Sequence, residues 1–265
     1  MFSCLQYNDD ILAVGDIQDN TIKIWDLHSG QQQPSVSVPI GLKDCIDLNQ
    51  RVLLAGCEDG EIRVFASDTR EVLSQLSGHN KDKMVSCVRM LSDTTALSGS
   101  ADRTLKLWDI EASKCVHTFE GHAREIFCAD TDEQAAGGFG GNLIISGSRD
   151  KKAYVWDTRT SKCVHMLEGH TGTVVCLRFD DSYIATAGGF ARGEDGEQIL
   201  AVDSSVRLWD IRTLRCVQNL VQQPSVDQPH NADGDPVLSL DLKPSLLVSA
   251  HSDQTIRAWD FGVQA

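Results

Sequence analysis

Six times along this chain an Asp is followed, after five residues, by Trp or Phe. The segments are DNTIKIW (Asp19–Trp25), DGEIRVF (Asp59–Phe65), DRTLKLW (Asp102–Trp108), DKKAYVW (Asp150–Trp156), DSSVRLW (Asp203–Trp209) and DQTIRAW (Asp253–Trp259). All 5 tryptophans fall in this slot, and Asp follows five of the six aromatics, with Ala66 after the other. The slots are spaced 40, 43, 48, 53 and 50 residues apart. A unit of that length cannot bury its own apolar face, so successive units must stack on one another.

The third unit shows what repeats. MVSCVRM (84–90) alternates with period two, and TALSGS (95–100), TLKLWDI (104–110) and KCVHTF (114–119) follow after short polar breaks. Four short strands, here termed a to d, make one blade of a β-propeller. The chain is therefore expected to be all-β, a single propeller over residues 1–265 with six recognisable blades. Its units end near Asp26, Ala66, Asp109, Asp157, Asp210 and Asp260. The last unit reaches only strand c, which gives 23 strands rather than 24. Two expectations stand for this open end: a fragment of a larger propeller, a seven-bladed one included, or a six-unit ring that closes imperfectly. Strand b carries Ala, Ser and Gly, which suit strands crowded near a central axis.

A polar set recurs with the strands. It is His79, Ser98, Asp102 and Trp108 in the third unit and His122, Ser146, Asp150 and Trp156 in the fourth. The fifth offers His170, Thr186, Asp203 and Trp209, and the sixth His230, Ser249, Asp253 and Trp259. Histidine can donate to the Asp and accept from the hydroxyl, which in turn accepts from the indole N–H. A closed network satisfies buried polar atoms. A hydrolytic triad would occur once, whereas this set repeats, so the expected role is structural.

With 38 acidic and 24 basic residues the formal charge is −14, which disfavours a phosphate backbone as partner. No apolar run is long enough to span a bilayer. Neither nucleic acid nor membrane is expected as a partner. The 9 cysteines fall mostly in repeat-equivalent slots: Cys4, Cys45, Cys87, Cys128 and Cys176 in strand a, and Cys115, Cys163 and Cys216 in strand d. They are expected to be small buried hydrophobes, without disulfides, in a reducing cytoplasmic or nuclear compartment. No zinc-type spacing, phosphate-cradling loop or nucleophile elbow is present, so no metal, cofactor or enzyme activity is expected. Glu194, Asp195 and Glu197 lack the spacing of a calcium loop and are expected to be solvated.

Gly-His pairs (Gly78-His79, Gly121-His122, Gly169-His170), SGSxD and Trp-Asp at this spacing resemble the WD-repeat family over nearly the whole chain. The wording of CLQYNDDILAVGDIQDNTIKIWDL and SGSADRTLKLWDIEASKCVHTFEGH is similar to F-box/WD-repeat proteins, substrate receptors of cullin-RING ubiquitin ligases. That resemblance implies a non-catalytic scaffold that binds proteins or peptides, phosphorylated ones among them, on the face bearing the b–c and d–a loops. Ubiquitin-ligase subunits are implied partners if an F-box lies upstream. The alternative is a general scaffold subunit of a signalling, trafficking or ribonucleoprotein complex.

Phosphodegron receptors of that group place arginines where this chain has Arg103 and Arg149, and Arg124 follows a Gly-His. A further family arginine is replaced by Phe127. These four and Arg192 are the partner-binding candidates. Arg192 lies in the inserted segment FARGEDGEQILAV (190–202), which makes Thr186 to Asp203 seventeen residues where Ser98 to Asp102 is four. The insertion reads either as a tolerated unstructured loop or as a partner-selecting one. A second, glycine-rich insertion at 130–142 is expected to be a flexible a–b loop.

Overall fold

The computed structural model describes residues 2–38, 41–131, 142–192, 199–220, 236–243 and 246–261. These residues form strands and turns, with no helix among them. The chain divides into two compact units, Met1–Gly121 and His122–Ala265.

The first unit holds three four-stranded antiparallel sheets. They are β1 (Phe2–Tyr7), β2 (Ile11–Asp16), β3 (Thr21–Asp26) and β4 (Gln32–Ser37); β5 (Leu42–Leu48), β6 (Val52–Cys57), β7 (Ile62–Ala66) and β8 (Val72–Leu76); and β9 (Val85–Met90), β10 (Thr95–Ser100), β11 (Thr104–Asp109) and β12 (Lys114–Glu120). In the second unit, β13 (Ile126–Thr131), β14 (Leu143–Ser148), β15 (Lys152–Asp157) and β16 (Lys162–Glu168) form the fourth sheet. The fifth joins β17 (Val174–Phe179), β18 (Tyr183–Gly188), β21 (Val206–Asp210) and β22 (Arg215–Leu220). Between β18 and β21, β19 (Phe190–Arg192) and β20 (Ile199–Val202) pair as a separate hairpin. The sixth sheet has three strands among the described residues, β23 (Val237–Lys243), β24 (Leu246–His251) and β25 (Ile256–Asp260).

Each of the six blade sheets is a meander in the order a-b-c-d, the sixth reaching strand c among the described residues. That is blade topology. The described strands number 25, and the two beyond the expected 23 are the hairpin. The insertion is thus not a plain loop at its base. Phe190 pairs with Val202, Ala191 with Ala201 and, after a register shift, Arg192 with Ile199. The tip, with Glu194, Asp195 and Glu197, lies outside the described residues, as do 132–141 of the other insertion.

Neighbouring sheets stack, as the short repeat demands. Ile62, Val64 and Leu76 of the second sheet pack with Val88, Ala96 and Trp108 of the third. Likewise Leu143, Ile145 and Val155 of the fourth pack with Leu177, Ile184 and Trp209 of the fifth. Strands β6 and β14 are buried along their whole length. Full burial of an aliphatic or aromatic side chain contributes about 1.5–3 kcal/mol, and the slot aromatics Phe65, Trp108 and Trp156 lie at that limit.

One expectation is corrected. Cys115, Cys163 and Cys216 are exposed free thiols, not buried hydrophobes. Each sits opposite the slot tryptophan where the c–d register shifts, and its Sγ lies 3.2–3.3 Å from the carbonyl oxygen two residues on. The core takes strand d at its other end, through Phe119 and Leu167.

Candidate interaction face

The b–c turns are built alike. In five of the six the residue after the turn Asp has positive φ: Asn20 (51°), Gly60 (74°), Arg103 (73°), Lys151 (70°) and Gln254 (66°), while the fifth sheet, whose turn Asp203 follows the hairpin, does not share this. A side chain there costs roughly 1–2 kcal/mol, and the turn Asp offsets it by closing the turn. Asp102 Oδ1 accepts from Thr104 N (2.9 Å) and Thr104 Oγ1 (2.7 Å), while Asp102 N donates to Ser100 Oγ (3.0 Å).

Three of the polar sets are assembled. In the third sheet Trp108 Nε1 donates to Ser98 Oγ (2.8 Å), which lies 2.7 Å from His79 Nε2, and His79 Nδ1 lies 2.8 Å from Asp102 Oδ2. In the fourth, Trp156 reaches Ser146 (2.8 Å), Ser146 meets His122 Nε2 (2.8 Å), and Nδ1 meets Asp150 Oδ2 (2.7 Å). In the fifth, Trp209 reaches Thr186 (2.9 Å), which meets His170 Nε2 (2.8 Å), and Nδ1 meets Asp203 Oδ2 (2.8 Å). An indole N–H only donates, so the hydroxyl proton is left for Nε2. Nδ1–H then donates to the carboxylate.

The carboxylate also accepts a backbone N–H from the d–a loop: Asn80 (3.1 Å), Ala123 (3.0 Å) and Thr171 (2.8 Å). Each network therefore ties the d–a loop to the b–c turn at one end of its sheet. Burial pushes the Asp102, Asp150 and Asp203 carboxyls up, but the bonds from the histidines and the turn outweigh it. All three stay below the usual carboxylate range. The hydroxyls of Ser98, Ser146 and Thr186 belong to fully buried residues held by an indole, and no substrate carbonyl can reach them.

The remaining sheets solve the same problem differently. His230 lies outside the described residues, and Ser249 Oγ lies 2.7 Å from His251 Nε2. Trp259 is half-buried. Asp253 is held by Thr255 and by Arg257 (Nη2 to Oδ2, 3.2 Å). In the second sheet Arg63 grips Asp59 with both nitrogens (3.2 and 2.7 Å), and in the first Lys23 reaches Asp16 (2.8 Å) and Asp19 (3.8 Å). In the first and second sheets, which have no such histidine, a strand-c cation thus takes its place, and in the sixth Arg257 binds the turn Asp. A Lys or Arg two residues before the slot aromatic stands in KIW, RVF and RAW, but KLW and RLW of the third and fifth units carry one too, so the signal was that cation together with the absence of a Gly-His pair.

Among the partner-binding candidates, Arg103 is exposed at its turn in the first unit. In the second unit, Arg124, Phe127 and Arg149 are brought to one end of the fourth sheet. Arg149 N donates to Glu125 O (2.9 Å), Ser148 Oγ to Arg124 O (3.2 Å), and Arg149 Nη1 to Glu125 Oε1 (3.3 Å). Arg149 is therefore engaged by a carboxylate that a phosphate would have to displace. Phe127 sits at a β-bulge between Ile126 and Cys128, which turns its ring outward. Arg192 ends β19.

The hairpin is fastened beside this network. Thr173 of the d–a loop donates through Oγ1 to Phe190 O (2.7 Å) and accepts from Gly189 N (2.8 Å), while Asp203 N donates to Gly189 O (3.0 Å). Gly172 and Gly188 leave no room for a Cβ against Gly189 and Asp203.

Stacked four-stranded blades with Trp-Asp slots define a repeat protein of the β-propeller class. A family model described as "WD domain, G-beta repeat" matches residues 70–109, 113–157 and 161–210, about half of the chain, and the chain belongs to that WD-repeat family. Cell division control protein 4 of Saccharomyces cerevisiae is 36% identical over 89 residues, 34% of this chain and 11% of that protein. Mitogen-activated protein kinase kinase kinase A of Dictyostelium discoideum is 37% identical over 205 residues, 76% of this chain and 20% of its own length. WD repeat-containing protein 18 of Danio rerio is 30% identical over 115 residues, 38% of this chain and 26% of its own. The chain thus spans only a minor part of these relatives. Among solved structures, the computationally designed Ika8 protein aligns with 98% of this chain and 70% of its own at a TM-score of 0.71 and 23% identity, a likeness of fold alone.

Proposed function

We propose that this chain recruits client proteins to a cullin-RING ubiquitin ligase. WD repeats make protein-interaction scaffolds, and that coarser role follows from the family. The observation that carries it here is the self-closed His–Asp–hydroxyl–Trp network. Its polar groups are consumed in holding loops still, which suits a rigid platform for partners. The finer reading rests on the wording shared with F-box/WD-repeat receptors and on Arg103, Arg124 and Arg149. A phosphorylated client segment would take bidentate bonds from such arginines. The site of action is cytoplasmic or nuclear.

A second reading, a scaffold without a ubiquitin link, draws support from the kinase relative, whose match extends over 76% of this chain. The deciding experiment is affinity purification of the native full-length protein with mass spectrometry of what accompanies it. Cullin and RING subunits are the expected companions. Their absence from an otherwise rich set of partners overturns the ligase reading and leaves the scaffold. For phosphate reading, Arg103→Glu with Arg149→Glu should abolish capture of phosphorylated partners in a folded protein. Unchanged capture refutes it.

A further inference from the structure

Strand a carries a β-bulge at the same place in the fourth, fifth and sixth sheets. The pairing shifts between Ile126 and Cys128 in β13, between Val174 and Cys176 in β17, and between Val237 and Ser239 in β23. The extra residue is apolar each time: Phe127, Val175 and Leu238. A bulge leaves that residue out of the ladder and re-aims its side chain. Phe127 is 38% exposed, Leu238 is 63% exposed and Val175 is half-buried, whereas Ile126, Val174 and Val237 just before them are 0–2% exposed. In the third sheet, which belongs to the other compact unit, the bulge residue is Ser86, whose hydroxyl donates to Gly99 O at 3.1 Å.

The three bulges lie at the end of their sheets that bears the b–c turns. Ile126 pairs with Ser148, Val174 with Gly188 and Val237 with His251, each the last residue of its strand b. The inner strand β17 runs beside both β13 and β23, with Cα atoms of neighbouring strands within 8 Å. Cys128 Sγ donates to Val174 O (3.6 Å), and Cys176 packs against the cluster that holds Val237 and Leu240. Val175 also lies against Gly189 at the root of the hairpin, where a Cβ would strike its methyl.

Single exposed apolar side chains are ordinary. Three in one slot of successive sheets make a patch, and such patches mark interaction sites. The charges beside it are matched within the chain: Arg149 pairs with Glu125, and His122 and His170 hold Asp150 and Asp203. The complement of that surface is therefore neutral and apolar. Alternate side chains of an extended segment stand about 6.7 Å apart, which suits the step from one inner strand to the next.

We propose that Phe127, Val175 and Leu238 dock an extended segment of a client protein bearing aliphatic or aromatic side chains at i, i+2 and i+4, which rests on the reading of this end of the sheets as the client face. Neither phosphate nor a ubiquitin link is needed for it.

The test screens the full-length native protein against displayed random nine-residue peptides, then titrates the most enriched peptide, labelled with fluorescein, by anisotropy. Enriched peptides should carry alternate apolar residues. Phe127→Ser with Leu238→Ser should weaken binding about tenfold or more, as loss of one or two buried apolar contacts does. Val217→Ser, at an exposed valine of β22, should leave it unchanged. If the double variant proves destabilised in urea, Leu238→Asp alone, at the most exposed of the three, gives the same readout. No enrichment, enrichment of charged peptides, or binding indifferent to these substitutions overturns the proposal. Binding that survives them but is lost with Arg103→Glu and Arg149→Glu keeps the client face and overturns the apolar patch. Self-association abolished by Phe127→Ser overturns it too, in favour of a second copy.

Discussion

Thr186 Oγ1 lies 2.9 Å from Trp209 Nε1, the place that Ser98 and Ser146 take beside Trp108 and Trp156. The extra methyl is accommodated without loss of either hydrogen bond. Thr186→Val keeps the shape and removes the hydroxyl, so the indole N–H and His170 Nε2 lose their partner together. Leaving buried polar groups unmet costs about 1–3 kcal/mol each. Urea denaturation should show Thr186→Val destabilised by roughly that amount or more, with Thr186→Ser close to the parent. Equal stability of the Val variant would mean that the network contributes nothing.

Acid should weaken the fold through the turn aspartates. Asp102, Asp150 and Asp203 are held below the ordinary carboxylate range in the folded chain, against about 3.9 when unfolded. A depressed acid stabilises the fold above its unfolded pKa and loses that contribution as pH falls through the folded value. The urea midpoint should change little from pH 7 to about 5 on account of these groups. It should then fall steeply below about 4. Asp203→Asn should start lower at pH 7 and fall less on acidification.

Two glycine substitutions separate collision from backbone strain. A methyl at Gly188 would run into the Asp203 carboxylate, which His170, Thr171 and Ser205 hold in place. Gly188→Ala should cost about 1–3 kcal/mol, as overpacking does. Gly30 has φ of +68° with open space around it. Gly30→Ala should cost only the left-handed penalty of about 1 kcal/mol. Thermal melts of the two variants distinguish the mechanisms.

Thiol labelling checks the corrected cysteine assignment. Cys115 and Cys216 are exposed and should react first with iodoacetamide in the native protein. Cys163 is exposed as well, but partial burial raises its thiol, so it should follow more slowly. Cys57 is buried with its thiol pushed up to about 11, and Cys45 is pushed well above its ordinary value. Both should label only on unfolding. Peptide mapping by mass spectrometry gives the order.

The strands of this chain were legible because two signals coincide, period-two alternation and a fixed aromatic slot. The third unit shows it: its strand bounds differ from the sequence reading by no more than a residue or so. The networks of the third to fifth sheets were legible because Gly-His, the hydroxyl and the turn Asp keep their spacing. Lys23, Arg63 and Arg257 were not. A strand-c cation reads as an ordinary solvated residue until the turn folds back and brings Asp16, Asp59 or Asp253 within reach. His251 escaped notice because it follows Ser249 on the same strand rather than arriving from the d–a loop. The exposure of Cys115, Cys163 and Cys216 was hidden because repetition fixes a position in the unit without telling which end of strand d meets the core.

The chain enters the hairpin at Gly189 and leaves it at Asp203, and these two residues are hydrogen-bonded to each other at 3.0 Å. To the fifth sheet the gateway is as narrow as a tight turn. The cargo beyond that gateway can therefore lengthen, shorten or change wording without disturbing the register of β18 on β21. Such a port lets one rigid body acquire a new recognition element by insertion alone, and it marks the place where a foreign loop could be grafted at least cost to the fold.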